Sequence, residues 1–473
     1  MAAKLRLPAL VLLATALVTF FCFHGVAAAS TSPPLNASSS GGGGFSLRLV
    51  SNNSHHRYTD LDSLQRAKQE VRCRIAHRFA GADITAASIR TYLCPPASMV
   101  YAVAVGVGTE HGYENYELEM DMAAGFSWMQ CAPCHPCLPQ LNPVFDPAKS
   151  PTFRPVSGHN AVLCRPPYHP LQDGRCGFGI AYRNGASAAG YLARDTFSFP
   201  TGDNNFQHLP GIVFGCANRI ARFDTHGALA GVLGMGMGAE GKPLTGFMRQ
   251  LYHNGGGRFS YCPIVPGTTA YSFLRFGNDI PSQPPAGVHR QSMAVLAPTT
   301  TSEAYYVKLA GISVGALRVP GVTPEMFERD QHGRGGCAID IGTKMTAIVQ
   351  TAYAHVEAAV RGHLQRNRAR FVQSPGHHLC VHRTPAIEER LPSMTLHFVG
   401  GPWLRVKPQH LFLVVGSPTG GGEYLCLGLV PDAEMTVIGA MQQIDTRFIF
   451  DLHNNIPIVS FNPEDCHLDA GTH

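Results

Sequence analysis

The chain is poor in charge. Only 15% of its 473 residues are Asp, Glu, Lys or Arg, against 45% hydrophobic, which excludes a sequence too polar to bury a core and leaves enough apolar material for two globular lobes. The formal charge of +5 is mild for this length and spread along the chain, so no nucleic-acid partner is implied. After Phe23 no stretch is long and apolar enough to cross a bilayer. Three catalytic signatures are missing as well: there is no Gly-Lys-Ser/Thr phosphate loop, no His/Glu zinc-protease spacing and no nucleophile elbow around Ser127. Those gaps remove phosphoryl transfer, zinc hydrolysis and serine hydrolysis as leading readings, and no cofactor or metal is expected.

What is present begins with a leader. Lys4 and Arg6, the apolar run Leu7 to Phe23 and the small residues Ala27 to Ala29 have the charged, hydrophobic and small-residue order of a secretory signal peptide over 1–29. The run is short for a span and contains Pro8, so no stable membrane anchor is expected. The protein is placed in the secretory pathway, bound for the extracellular space (apoplast) or the vacuole. Fourteen cysteines then read as disulfides. Cys131, Cys134 and Cys137 have the look of a zinc cluster, but behind an export signal they are better read as disulfide partners. Loss of Cys22 with the leader leaves an odd number, hence a free thiol or an intermolecular bridge. The 23 histidines make the protein far more basic in an acidic compartment.

Residues 30–97 are read as a propeptide. Ser30 to Gly44 is rich in Ser, Pro and Gly and carries a glycan sequence at Asn36. From Asp62 the pattern turns helical, with Leu64, Ala67, Val71 and Ile75 on one face and Arg66, Lys68, Arg72, Arg74 and Arg78 around it; it fits equally a segment that covers an acidic cleft and a solvated surface helix. From residue 98 short β-branched and aromatic runs broken by Gly, Pro and Asn give a mostly-β protein. The expected order is an N-terminal lobe over 98–280, a Pro-, Ser- and Thr-rich connection over 281–304 and a C-terminal lobe over 305–473. One clear helix is expected near Ala352 to Leu364.

Each lobe carries an aspartate in a short loop between apolar residues. Asp121 lies in Leu118-Glu-Met-Asp-Met-Ala-Ala-Gly-Phe-Ser-Trp128 and Asp340 in Cys337-Ala-Ile-Asp-Ile-Gly-Thr-Lys-Met-Thr346. Downstream of each comes an apolar pair closed by glycine, Val232-Leu-Gly234 and Val437-Ile-Gly439, where a second strand can pass close beneath the loop. Such a repeat would bring the two carboxyls face to face. Two carboxyls at one axis share a proton, so that one activates a water while the other protonates a carbonyl oxygen.

At this point the sequence resembles the pepsin-like aspartic proteases, and more narrowly the plant nepenthesin-like branch that cereal xylanase-inhibitor proteins also resemble. The likeness runs from about residue 98 to Cys466 through Trp128-Met-Gln-Cys-Ala-Pro-Cys134, Cys176-Gly-Phe-Gly-Ile-Ala-Tyr182, Phe214-Gly-Cys216, Phe259-Ser-Tyr-Cys262, Tyr305-Tyr-Val-Lys-Leu-Ala-Gly-Ile-Ser-Val-Gly315 and Val437-Ile-Gly-Ala440. The resemblance implies a mostly-β, bilobal pepsin-like fold, two pseudo-twofold-related β lobes with a cleft between them, and usually a monomer. It implies Asp121 and Asp340 as the catalytic pair, with Trp128 and the flap residue Tyr182 helping to exclude water from a bound peptide, and Gly342 and Thr343 beside the second carboxyl.

The departures are concentrated in the first loop. Relatives write Asp-Thr-Gly-Ser there and Asp-Ser/Thr-Gly-Thr/Ser at the second site; this chain writes Asp121-Met-Ala-Ala and Asp340-Ile-Gly-Thr. Met122 and Ile341 cannot supply the hydroxyls that cross-bond the loops, and unsatisfied amides there would cost about 1–3 kcal/mol each. They are expected instead to pack as an apolar pair across the axis. Ala123 adds a methyl that is expected to displace the loop, and Ala124 lacks the hydroxyl that Thr343 keeps. In the flap, Arg183 either guards the cleft mouth or lies in solvent. Two functions therefore stand side by side: a secreted aspartic endopeptidase made as a zymogen, acting on a protein or peptide substrate, and a catalytically inactive pepsin-fold binding or inhibitor protein of the xylanase-inhibitor type.

Overall fold

The computed structural model describes residues 45–50, 101–108, 114–181, 185–200, 206–223, 229–239, 241–253, 257–264, 272–299, 302–374, 377–416, 422–453 and 455–470. The expected signal peptide, the segment from Asp62 read as a helix and the expected flap residues Tyr182 and Arg183 lie outside them. The fold is mostly β, as the short β-branched and aromatic runs imply, and bilobal, as the resemblance implies. Among the described residues, one sheet of fifteen strands and three smaller sheets, of five, four and four strands, carry it.

The large sheet joins the two halves of the chain. Arg258–Tyr261 and Ser272–Phe276 come from the first half, Thr446–Asp451 and Ile458–Pro463 from the second, and they lie side by side. Phe259 stacks on Phe450 with ring centroids 4.8 Å apart, and Tyr305 meets Phe450 edge-on at 4.6 Å. Aromatic pairs of this kind add about 0.5–1.5 kcal/mol beyond the area they bury. Gln291–Ala294, within the expected connection, is an edge strand on Ile458–Pro463. Phe45–Val50, within the expected propeptide, is a strand between Ser272–Phe276 and Ala102–Val107.

Each half repeats one motif around its aspartate. Gly231–Gly234 runs parallel to Glu114–Asp121, with Gly234 opposite Asp121, and antiparallel to Trp128–Gln130 on its other side. Thr436–Ile438 does the same between Cys337–Ile339 and Thr346–Val349. The inserted strand leaves no room for a side chain at the closing glycine: a Cβ on Gly234 would lie 2.5 Å from the Phe126 carbonyl oxygen, and one on Gly439 would lie 2.5 Å from the Met345 carbonyl carbon. The glycine that closes each apolar pair is thus required by close approach rather than by an unusual φ.

The second half adds the helix Gln350–Arg366, whose Ala352, Tyr353, Val356, Val360 and Leu364 form its buried stripe. It also holds a sheet of Leu317–Arg318, Leu309–Val314, Met394–Phe398 and Trp403–Val406. Among the described residues, five disulfides pair Cys131 with Cys216, Cys134 with Cys137, Cys164 with Cys176, Cys262 with Cys466 and Cys380 with Cys426. The three clustered cysteines are therefore disulfide partners, and Cys337 is a buried free thiol whose pKa burial pushes up.

Candidate active site

The two loops meet. The Met122 amide points at Asp340 Oδ1 from 3.4 Å, so the aspartate of one half is approached by the backbone that follows the aspartate of the other. Both carboxyls are buried, Asp121 at 3% exposure and Asp340 at 0%. A buried carboxylate needs donors to stay charged. Asp121 Oδ1 accepts from the Ala123 and Ala124 amides at 2.9 and 3.0 Å. Asp340 Oδ1 accepts from the Gly342 amide at 3.0 Å, and its Oδ2 from the Thr343 hydroxyl at 2.5 Å.

The backbone beneath is clamped twice in the same way. Ser127 Oγ accepts the Gly234 amide at 3.0 Å, and Thr346 Oγ1 accepts the Gly439 amide at 3.0 Å. Each hydroxyl lies six residues after its aspartate, a spacing visible in the sequence. The aspartates' own main chain joins the same ladders, with the Met235 amide on the Asp121 carbonyl at 2.7 Å and the Asp340 amide on the Ile438 carbonyl at 3.1 Å.

Met122 and Ile341 are both fully buried within one hydrophobic cluster, as apolar replacements for hydroxyls should be. The methyl of Ala123 does not push the loop off its carboxylate: the amide bond to Oδ1 is intact, and Ala123 is not among the described residues with positive φ. Its side chain belongs instead to a cluster from the second half that includes Ala304, Tyr306 and Met345. The expectation of a displaced loop gives way because a methyl at an ordinary φ needs only space, and the second half supplies it.

Two charged groups close to these loops were not anticipated. Lys344, four residues after Asp340, is buried, and burial lowers its amine to about 7. The equivalent position in the first loop is Gly125. There the Glu303 carboxylate lies so close that an added Cβ would fall on it, and Lys242 Nζ pairs with Glu303 Oε1 at 2.8 Å. Glu303 also accepts the Met237 amide on its carbonyl at 2.9 Å, while the Tyr305 hydroxyl donates to the Met235 carbonyl at 2.7 Å. The segment leading into the second lobe is thus fastened under the first aspartate loop. A lone Glu in a Ser/Thr-rich stretch gave no periodic signal from which this could be read.

Trp128 is buried in a separate aromatic cluster, its ring 5.0 Å from Phe223 and edge-on to it. Its expected partner Tyr182 lies outside the described residues. The structure therefore brings together Asp121, Asp340, Gly342 and Thr343, with Trp128 one strand below. Among the described residues no group of His, Cys, Asp and Glu could hold a metal ion, and no helix is long and apolar enough to cross a membrane.

Known proteins carry the same pattern. The family model described as xylanase inhibitor N-terminal matches residues 101–278, and that described as xylanase inhibitor C-terminal matches 304–458, together more than half of the chain. Aspartic proteinase nepenthesin-2 of Nepenthes gracilis is 29% identical over 77% of this chain and 78% of its own length. Aspartyl protease family protein 2 of Arabidopsis thaliana is 29% identical over 77% of this chain and 71% of its own. Among solved structures, the basic 7S globulin from soybean aligns with a TM-score of 0.55 at 17% identity, covering 78% of this chain and 94% of that one. The structure of edgp aligns with a TM-score of 0.60 at 14% identity, covering 91% of this chain and 95% of that one; both likenesses speak for the fold alone. Two matched halves, the repeated aspartate motif and relatives named as aspartic proteinases place the chain in the plant pepsin-like aspartic protease family, in its nepenthesin-like branch.

Proposed function

We propose that the protein is a secreted aspartic endopeptidase that hydrolyses peptide bonds with Asp121 and Asp340. The observation that carries this reading is the survival of both carboxyls, buried and in register on matching loops that meet at the Met122 amide and Asp340 Oδ1. One carboxylate takes a proton from a water held between the pair, and the water oxygen bonds to the peptide carbon. The other, protonated, gives its proton to the carbonyl oxygen. The tetrahedral diol then collapses: the first carboxyl passes the proton gained from water to the nitrogen, the C–N bond breaks, and one diol hydroxyl returns its proton to the second carboxylate, which restores the pair. Thr343 and the loop amides hold the charge that this exchange needs. Trp128 and the flap Tyr182 serve to exclude water and seat the peptide, and no cofactor is required.

In this reading the chain is made as a zymogen. Phe45–Val50 ties the propeptide into the sheet that joins the halves, and acid releases it in the extracellular space or the vacuole. The product is a monomer held by disulfides. A second reading is favoured by a specific observation, since the models matching both halves are those described as xylanase inhibitor and the first loop has lost its hydroxyls. In it the cleft is inert and the protein binds another protein.

Cleavage of a broad peptide library from pH 3 to 7 by the acid-treated protein, beside its Asp121→Asn variant, separates the two. Cleavage that disappears in the variant is the expected result. Identical profiles would sink the proteolytic reading and leave the binding one.

A further inference from the structure

The outer sheet of the second lobe carries a groove remote in sequence from both aspartates. It is open, about 580 Å³ in volume, and lined by the hairpin Met394–Phe398 and Trp403–Val406, the turn at Gly315, His363 of the long helix and Pro408. Cross-strand register sets Thr395 opposite Arg405 and His397 opposite Trp403. The alternate residues Met394, Leu396, Leu404 and Val406 are buried. By the period of two in a strand, Thr395, His397, Trp403 and Arg405 therefore share the outward face.

Trp403 is 45% exposed, whereas Trp128 is 1% exposed, and these are the chain's two tryptophans. An indole left at the surface gives up much of the burial that would stabilise it elsewhere. Its backbone is nevertheless fixed: the Gln291 side chain accepts the Trp403 amide at 2.7 Å and donates to the Trp403 carbonyl at 3.0 Å. Two residues further on, the Arg405 guanidinium has no ion-pair partner among the described residues, and no carboxylate lines the groove. The two histidines are engaged, His363 Nε2 with the Arg390 carbonyl at 2.8 Å and His397 Nε2 with Ser313 Oγ at 2.7 Å. Ser393 and Thr395 add hydroxyls to the lining.

A flat apolar face beside a free planar cation, with hydroxyls around them, fits a ligand that has an apolar ring face and a carboxylate on its rim. A uronic-acid sugar has both. Its axial C–H face can lie on the indole, its carboxylate can take the two-pronged guanidinium, and its hydroxyls can bond those of Ser393 and Thr395. A neutral hexose matches only the ring, and an acidic peptide only the charge. We propose that this groove binds a uronate-bearing oligosaccharide through Trp403 and Arg405. The proposal stands whether or not the aspartate pair is catalytic.

The test uses the full chain and tetragalacturonate, with cellotetraose and tetraglutamate as comparisons. Since Trp128 is buried, saturable change in tryptophan emission reports on Trp403; calorimetry supplies the affinity of the variants. The expected result is saturable binding of tetragalacturonate, roughly tenfold or more tighter than either comparison and weakening with salt. Trp403→Ala and Arg405→Gln should each lower the affinity roughly tenfold or more with the melting temperature unchanged, as befits exposed side chains. No saturable binding, binding kept in both variants, or tetraglutamate held as tightly as the sugar acid would each overturn the proposal.

Discussion

The loops around Asp121 and Asp340 share one backbone plan and differ in what tunes it. In both, the aspartate Oδ1 takes the amide two residues on, at 2.9 Å from Ala123 and 3.0 Å from Gly342. In both, a hydroxyl six residues on holds the glycine amide of the strand beneath at 3.0 Å. Beyond that frame they part. Asp340 Oδ2 has the Thr343 hydroxyl, where the first loop has Ala124, and Lys344 fills the position that Gly125 leaves to Glu303. Bonds that hold the chain's path recur in both halves, because losing them would open the sheet as well as the site. The side-chain hydroxyl that donates to a carboxyl is kept in one half only. That pattern separates what the fold needs from what the chemistry needs.

The comparison breaks most sharply at the carboxyls themselves. If the two loops work as a pair, Asp121→Asn and Asp340→Asn should each reduce peptide cleavage by at least about 10³-fold, since members of a catalytic unit fail together. A large loss in Asp340→Asn with none in Asp121→Asn would show that the loops are no longer partners. A gain of function sharpens the same point. Restoring Met122→Thr, Ala123→Gly and Ala124→Ser together should raise kcat by about 10–100-fold if loop geometry limits the rate. An unchanged kcat, measured with folding verified by melting temperature, would mean that the present loop already holds Asp121 as well as its relatives do.

Much of this frame was legible in the sequence. The short β-branched and aromatic runs, the paired aspartates and the closing glycines follow from local rules, and the structure places Gly234 and Gly439 where those rules put them. Helix Gln350–Arg366 was legible from the helical spacing of Val356, Ala359, Val360 and His363, though it extends two residues beyond the expected span at each end and buries Ala352, Tyr353 and Leu364 rather than Ala359 and His363. What was not legible is what arrives from elsewhere in the chain. Glu303 reaches Gly125 across 178 residues of sequence, and the space for the Ala123 methyl comes from Ala304, Tyr306 and Met345. Neither has a periodic signature, so only tertiary packing reveals them. The disulfide pairings among the described residues are of the same kind, since spacing alone leaves many pairings open.

Lys344 offers a smaller and pH-dependent test. Its amine is lowered by burial from 10.5 to about 7, so between those values the unfolded chain binds a proton that the folded chain does not. Stability then rises with pH across that window and, read downward, is lost as pH falls toward about 7, below which the cost is fully present. Lys344→Met should remove that slope. The variant should be more stable than the parent by on the order of a few kcal/mol at pH 5, with the gain shrinking toward pH 10. Melting temperatures at four or five pH values decide it, and parallel curves for the two proteins would refute the burial account.

The least disruptive change probes the first loop's unusual neighbour. Gly125→Ala would place its methyl 1.1 Å from Glu303 Oε2, so the carboxylate must move and its pairing with Lys242 at 2.8 Å must adjust. Lys242 is partly exposed, so the ion pair itself contributes little, and the expected loss is mainly overpacking, about 1–3 kcal/mol. Glu303→Ala should open the space and cancel much of that loss, so the double variant should be more stable than the sum of the singles by about 1 kcal/mol or more. Lys344→Ala, its counterpart in the second loop, should show no such coupling to Glu303. Coupling at both positions would mean that Glu303 braces the whole cleft floor, and coupling at neither would mean that the first loop is held by its backbone ladder alone.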